Sequence, residues 1–276
     1  IGIDRDPYAL EIGKKMAKSY QGRLHIIRGC FGDMIGLLAQ IGIKRIDGVA
    51  LDIGLSSMQI NNPERGFSFL TNGPLDMRMD FQSSVNAAHM VNTLNEEDLA
   101  NIIYTFGEER ASRRIAAAIV ETRAQKPFST TDQLAKLIRG IVKRSKNGID
   151  PATRTFQALR IHVNDELGEL SRGLSAAEKL LSPGGRLVVV SFHSLEDRKV
   201  KEFLQHRSGK RSRPSRHLPE NQANRKIPSF KLLKRGVIKP SLKETINNPR
   251  AKSAKLRAAE RTNAPPWPNS MSGAAA

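Results

Sequence analysis

Ile46-Asp47-Gly48-Val49-Ala50-Leu51-Asp52-Ile53 is an apolar run of strand length that ends at an acid. Working outward, Ile1-Gly2-Ile3-Asp4 has the same form in miniature, and Leu24-His25-Ile26-Ile27 is a third strand-like run. Between the first two, Asp6-Pro7 opens a helix, because proline fits a first turn and a carboxylate suits the positive helix end. Tyr8, Leu10, Ile12 and Met16 carry that helix to Tyr20 at roughly helical spacing. Residues 34–41 form a short amphipathic helix. Strand, helix, strand, helix, strand predicts an α/β domain with a mainly parallel sheet. Much later, after the turn Ser182-Pro183-Gly184-Gly185, the run Arg186-Leu187-Val188-Val189-Val190-Ser191 supplies another buried strand.

What separates these strands is different in kind. Residues 55–93 contain Pro63, Gly66, Gly73 and Pro74 and little periodicity, which predicts a long loop. Phe67, Phe69, Met77 and Met79 argue that it is ordered, and a loop of that length is usually functional. Arg65, Asp76, Arg78 and Asp80 read as internal ion pairs that order it. From Asn95, which can cap Glu96-Glu97-Asp98, the pattern turns helical. An Ala-rich helix follows over 111–124, then one capped by Thr130 or Thr131 through Ile141, then a long helix over 153–181. The expected organisation is a helical subdomain, 94–150, inserted into a core formed by 1–93 and 151–263. Residues 264–276, with three prolines, read as a disordered tail in which Trp267 has no assigned role.

The 276 residues carry a formal net charge of +18, and that charge is unevenly placed. Residues 1–197 hold 25 basic and 23 acidic side chains, whereas 198–262 hold 20 and 4. A basic excess of this size points to a polyanionic partner, nucleic acid first. Arg207, Lys210, Arg211, Arg213 and Arg216 crowd among Ser, Gly and Pro, which predicts a basic loop, either solvated or in contact with phosphates. No apolar run approaches the ~20 residues of a membrane span. The single cysteine, Cys30, excludes a disulfide framework and a multi-cysteine metal site.

Ligands of open α/β sheets bind at the carboxyl ends of strands. The acids available there are Asp4, Asp52 and, in a following loop, Asp33. An acid at the end of the second strand of a nucleotide-binding half takes ribose hydroxyls, a role open to Asp4 if a first strand and Gly-rich turn precede it; helix capping is the competing reading. Asp52-Ile53-Gly54-Leu55-Ser56-Ser57-Met58-Gln59 combines a strand-end carboxylate, a glycine that admits close approach and small polar groups, as a base-binding lip or an Asx-type turn. Ser191, His193 and Asp197 do not make a hydrolase triad, because no G-x-S-x-G elbow is present and adjacency in sequence is not triad geometry. The six histidines lack zinc spacing, and no Walker A sequence occurs.

Several strings, taken in order, narrow the reading. They are Asp4-Arg5-Asp6-Pro7, the Leu51-to-Gln59 run, Pro63-Glu64-Arg65-Gly66-Phe67-Ser68-Phe69, and Gly73-Pro74-Leu75-Asp76-Met77-Arg78-Met79-Asp80. Phe106-Gly107-Glu108-Glu109, Thr155-Phe156-Gln157-Ala158-Leu159-Arg160-Ile161, Ser191-Phe192-His193-Ser194-Leu195-Glu196-Asp197-Arg198 and Asn248-Pro249-Arg250-Ala251 complete the series. Together they closely resemble the bacterial ribosomal RNA small-subunit methyltransferase H family, the MraW type, over nearly the whole chain. The resemblance implies a Rossmann-like class I methyltransferase core with an inserted helical domain. It implies S-adenosyl-L-methionine as cofactor and methylation of the N4 amino group of a cytosine in small-subunit (16S) ribosomal RNA. Family cofactor contacts fall on Asp4, Phe31, Asp52 and Gln59, and Asp52 is also the candidate catalytic residue. The partner implied is small-subunit RNA or the ribosomal subunit, and the compartment a bacterial cytoplasm rather than a mitochondrion. No metal ligand and no membrane contact is expected.

The family's Gly-Gly-His type turn ahead of the Asp4 strand has no counterpart, so the core is expected to be N-terminally truncated. The alternative function is therefore an inactive, methyltransferase-like RNA-binding fragment. A dinucleotide-dependent oxidoreductase would need a Gly-rich loop and a hydride-transfer partner that the chain does not show.

Overall fold

The structure is a computed structural model and describes residues 1–144, 148–209 and 226–268. Its opening alternates as expected: β1 (Gly2–Asp4), α1 (Pro7–Ala17), β2 (Ile26–Arg28), α2 (Met34–Gln40) and β3 (Ile46–Asp52). At the start of α1 the Asp6 carboxylate accepts the Tyr8 N–H at 3.0 Å, the capping that Asp-Pro foretells.

The segment after β3 is not loop throughout. It contains α3 (Ser57–Asn61) and α4 (Ala87–Thr93). The Ser56 hydroxyl accepts the Gln59 N–H, and the Gln59 side chain accepts the Ser56 N–H, a capping box that nucleates α3. Helices of five and seven residues are too short for apolar periodicity to announce them. Of the ion pairs expected in this stretch, Arg78 is bonded through Nε and Nη2 to Asp76 at 2.9 and 2.7 Å, whereas Arg65 pairs outside it with Asp6.

Then come α5 (Glu96–Gly107), capped by Asn95, α6 (Ser112–Gln125), and α7 (Thr131–Ile141), capped by Thr130. The single helix expected over 153–181 is two, α8 (Ala152–Val163) and α9 (Glu166–Leu180). Asn164 and Asp165 break it. The Asn164 side chain accepts the Met79 N–H at 2.8 Å and donates to the Met77 carbonyl at 2.7 Å, while Asp165 takes a positive φ of 47°. These bonds reach across more than 80 residues, so local sequence does not signal the break.

The chain ends with β4 (Leu181–Ser191), α10 (Ser194–Arg207), β5 (Phe230–Leu232), α11 (Leu242–Asn247) and β6 (Lys255–Arg261). The turn expected at 182–185 is an irregularity inside β4, where pairing with β3 jumps from Ile46↔Leu181 to Gly48↔Arg186.

The described residues group into two compact units. The first comprises 1–4, 24–54 and the described residues from Leu167 on; the second comprises 5–23 and 55–166. The helical part is thus larger than the expected 94–150 insert. The reason is burial: Phe67, Leu75, Met77 and Met90 pack in one core with Leu99, Ile115, Leu134 and Leu159. In the first unit β1 pairs in parallel with β2, and a separate sheet runs β3-β4-β6-β5, with β3 and β4 parallel and β6 antiparallel to both its neighbours. Leu51, Leu174, Leu187, Val189, Phe230 and Ala259 are among the residues of its core.

The tail is ordered where it is described. Ala264 is buried, and the Trp267 indole donates to the Ile227 carbonyl at 2.8 Å. Residues 269–276 lie outside the described residues.

Candidate active site

Parallel pairing sets Asp52 of β3 beside Val190 of β4, so the two strands finish together. Beyond Asp52, Gly54 takes a φ of +106°, and a Cβ there would come within 3.2 Å of the Phe192 ring. Only a residue without a side chain lets the two strand ends run on this closely. Beyond β4, the chain turns through Phe192 and His193 into α10. Glu196, in the first turn of α10 and almost wholly buried, accepts the N–H groups of Phe192 and His193 at 2.8 and 3.2 Å. A carboxylate at this helix end satisfies orphan donors and meets the positive end of the helix dipole.

The Glu196 carboxylate has further neighbours. His193 Nε2 lies 3.0 Å from Glu196 Oε1, yet neither buried ring nitrogen has an aligned hydrogen-bond partner among the described residues. Asp52 has its carboxyl pushed above the ordinary carboxylate range, first by burial and then by the charge of Glu196. The strand ends therefore carry one exposed carboxylate and one imidazole held against a buried carboxylate.

Along the open edge of β3 runs a groove of about 230 Å³, lined by Ile1 and Ile3, by Phe31 and Met34, and by β3 from Ile46 to Asp52. Phe31 is fixed from behind: a Cβ at Gly173 of α9 would lie 2.5 Å from its ring. The neighbouring Gly32 N–H donates to the buried Glu169 at 2.5 Å, which Arg172 pairs at 2.7 Å. Asp4 ends β1 directly after the groove residue Ile3, exposed, with its carbonyl accepting the Gly29 N–H at 3.0 Å. Of the expected cofactor residues, Phe31 and Asp52 thus share one groove and Asp4 adjoins a residue that lines it. Asp33 is exposed at the start of α2.

Gln59 differs. It belongs to the second unit, is only 6% exposed, and commits its side chain to Ser56 and, through Nε2, to Asp6 at 2.8 Å. Asp6 in turn pairs with Arg65 at 2.9 Å, and both are buried. Gln59 thus spends one acceptor position and one donor of its amide on local structure.

Arg207 is also corrected. It is 3% exposed, donates from Nε to Glu178 at 2.8 Å, and stacks over Phe203 and Trp267. The Glu178 carboxylate further accepts the Ser229 hydroxyl and the Trp267 N–H. A guanidinium so enclosed is an internal ion-pair partner, not a phosphate contact. Lys210, Arg211, Arg213 and Arg216 lie outside the described residues.

His193 and Glu196 are the site residues that sequence reasoning passed over. Rejecting a triad was sound, since Asp197 is held by Arg257 at 2.7 Å and by Lys255 at 3.6 Å. The available signal was position: both follow a buried strand that pairs with the strand ending at Asp52.

The chain matches the MraW methylase family over residues 1–262. It is 61% identical over 265 residues to the ribosomal RNA small subunit methyltransferase H of Paramagnetospirillum magneticum, covering 96% of this chain and 83% of that protein. The protein of the same name from Rhodospirillum rubrum is 57% identical over 276 residues, covering 99% and 84%. That from a Methylobacterium species is 55% identical, covering 96% and 78%. With a parallel strand edge that carries an acid, and a family match over residues 1–262, the chain belongs to the MraW methylase family of class I methyltransferases.

Proposed function

We propose that the chain methylates the exocyclic N4 amino group of a cytosine in small-subunit ribosomal RNA, using S-adenosyl-L-methionine, in a bacterial cytoplasm. The observation that carries this reading is Asp52, an acid at a parallel strand end that lines the same groove as Phe31. The residues fit such a donor. The apolar wall of Ile3, Phe31 and Met34 suits a purine, and the carboxylates of Asp4 and Asp52 suit ribose hydroxyls and a cationic centre. When bound, the donor supplies an electrophilic methyl group for in-line displacement.

The chain's own residues then have separable tasks. Positioning supplies most of the rate in such a displacement. The cytosine amino nitrogen is a weak nucleophile because its lone pair is shared with the ring. A carboxylate accepting one amino hydrogen draws that nitrogen toward pyramidal geometry, and Asp52 is placed at the strand end to do this. Glu196 holds the 192–193 turn through two backbone bonds and so fixes His193. The imidazole, 3.0 Å from the Glu196 carboxylate that would stabilise its cationic form, takes the proton that the amine releases. The base reaches this edge only out of its stack, which favours a single-stranded or splayed RNA segment. An inactive RNA-binding fragment would not need an acid and an imidazole–carboxylate pair gathered at one strand edge.

The test is methyl transfer from radiolabelled S-adenosylmethionine to small-subunit RNA, followed by digestion to nucleosides. Label in N4-methylcytidine supports the reading. Label on another atom, or binding of RNA with no transfer, overturns it.

A further inference from the structure

In the helical unit, a cleft of about 550 Å³ opens where α5 meets the start of α6. Asn101 and Tyr104 of α5 and Arg110, Arg113 and Arg114 line it. Two features of this cleft oppose the stability of the isolated protein. The first turn of α6 has no capping side chain and no acid; it carries Arg113 and Arg114 where the helix dipole disfavours cations. Three guanidinium groups within five residues also repel one another. Of the adjacent acids, Glu109 is buried, accepts the Ala111 N–H at 2.9 Å and faces Arg154 at 3.7 Å. Arg114 is anchored to the Ile141 carbonyl at 2.7 Å. Arg110 and Arg113 are exposed and, among the described residues, have no ion-pair partner.

The remaining walls narrow the ligand. Tyr104 is 63% exposed, an aromatic ring that no core claims. Asn101 adds an exposed amide with both donors and an acceptor. Phosphate alone would not call for the ring, and an acidic peptide would not call for a stacking face. Cations, an aromatic ring and an amide on one concave surface match single-stranded RNA, where guanidiniums take phosphates and the ring stacks a base.

We infer that the Asn101–Tyr104–Arg110–Arg113 cleft is a docking site for a single-stranded segment of the RNA substrate, separate from the strand-end site where the methyl group is transferred. This rests on the reading of the substrate as RNA. It names a place on the helical unit that secures the nucleic acid while a different stretch supplies the target base.

The experiment measures binding of a fluorescein-labelled single-stranded oligoribonucleotide to the full chain by anisotropy, across a salt series. R110Q/R113Q should weaken binding about 10-fold or more at moderate salt, and the log–log salt slope should fall by roughly 1.4, two phosphate contacts on a single strand. The charge-matched K14Q/K18Q, at exposed positions in α1 and just after it, controls for net charge. Y104A should cost about 5-fold or more in RNA binding. It should leave the ability of polyglutamate to compete unchanged. The inference is overturned if R110Q/R113Q binds RNA no more weakly than K14Q/K18Q, or if Y104A weakens polyglutamate as much as RNA, the mark of an acidic protein partner. A wild-type chain that binds no RNA removes the substrate reading itself, and this inference with it.

Discussion

Burial, and after it the charge of Glu196, lifts the Asp52 carboxyl above the usual carboxylate range, so the acid at the end of β3 and the acid after β4 form one electrostatic system. A group raised in this way favours the folded state in its protonated form. That contribution is present at low pH and is lost as pH rises through the raised value. Activity runs the other way, because the ionised carboxylate is the form that accepts an amino hydrogen. Methyl transfer should therefore fall as pH drops through the raised Asp52 value. E196Q removes the repelling charge and should move that limb to lower pH. D52N should cost at least about 100-fold in turnover, while the melting temperature at neutral pH is unchanged or higher. Turnover within a few-fold of wild type would remove Asp52 from the mechanism.

Gly173 and Phe31 are the second pair to probe. Because a Cβ at Gly173 would lie 2.5 Å from the Phe31 ring, G173A must push that ring toward the groove. Overpacking of this kind costs about 1–3 kcal/mol. Calorimetric titration with S-adenosylmethionine should show affinity falling about 10-fold or more, well beyond any change in RNA affinity. Unaltered cofactor affinity would mean that Phe31 does not border the ligand.

In the helical unit, Arg65 is enclosed with Asp6 and donates to the carbonyls of Arg78 and Met79 at 3.0 Å. R65A strands a buried carboxylate and two carbonyls, which should destabilise by about 3–5 kcal/mol. Urea unfolding will show it. The double variant R65M/D6N, with both charges gone and a capping oxygen kept for the Tyr8 N–H, should recover much of that loss, and absence of recovery would contradict the pairing account.

Arg207 separates stability from binding. R207Q leaves Glu178 with a buried, poorly compensated charge, so the protein should lose about 3–5 kcal/mol. The salt slope of RNA binding, measured where the variant is still folded, should be unchanged, in contrast to R110Q/R113Q. A lower slope would return Arg207 to the phosphate contacts.

Particular elements show why some of this was legible in advance and some was not. Asp6-Pro7, Asn95 and Thr130 each start a helix where their chemistry requires one, because capping is settled within four residues. The strand ending at Asp52 was equally readable, since a buried parallel strand is a continuous apolar run. The break at Asn164 was not, because its partners are Met77 and Met79. Arg207 looked like the first of a basic series, and only Glu178, 29 residues earlier, turns it inward. Gln59 looked free for a ligand until Ser56 and Asp6 accounted for its amide.

The amino-acid sequence by itself determined the alternating α/β order, the strand-end acids and the family to which they belong, because periodicity, capping and motif strings are local and survive without coordinates. Only the tertiary structure decided which charges face solvent and which neutralise one another. It placed His193 and Glu196 at the edge carrying Asp52, and it left Arg110 and Arg113 exposed while burying Arg207. The free energy of a charge depends on the groups brought to it by distant parts of the chain, and that proximity is a property of the fold.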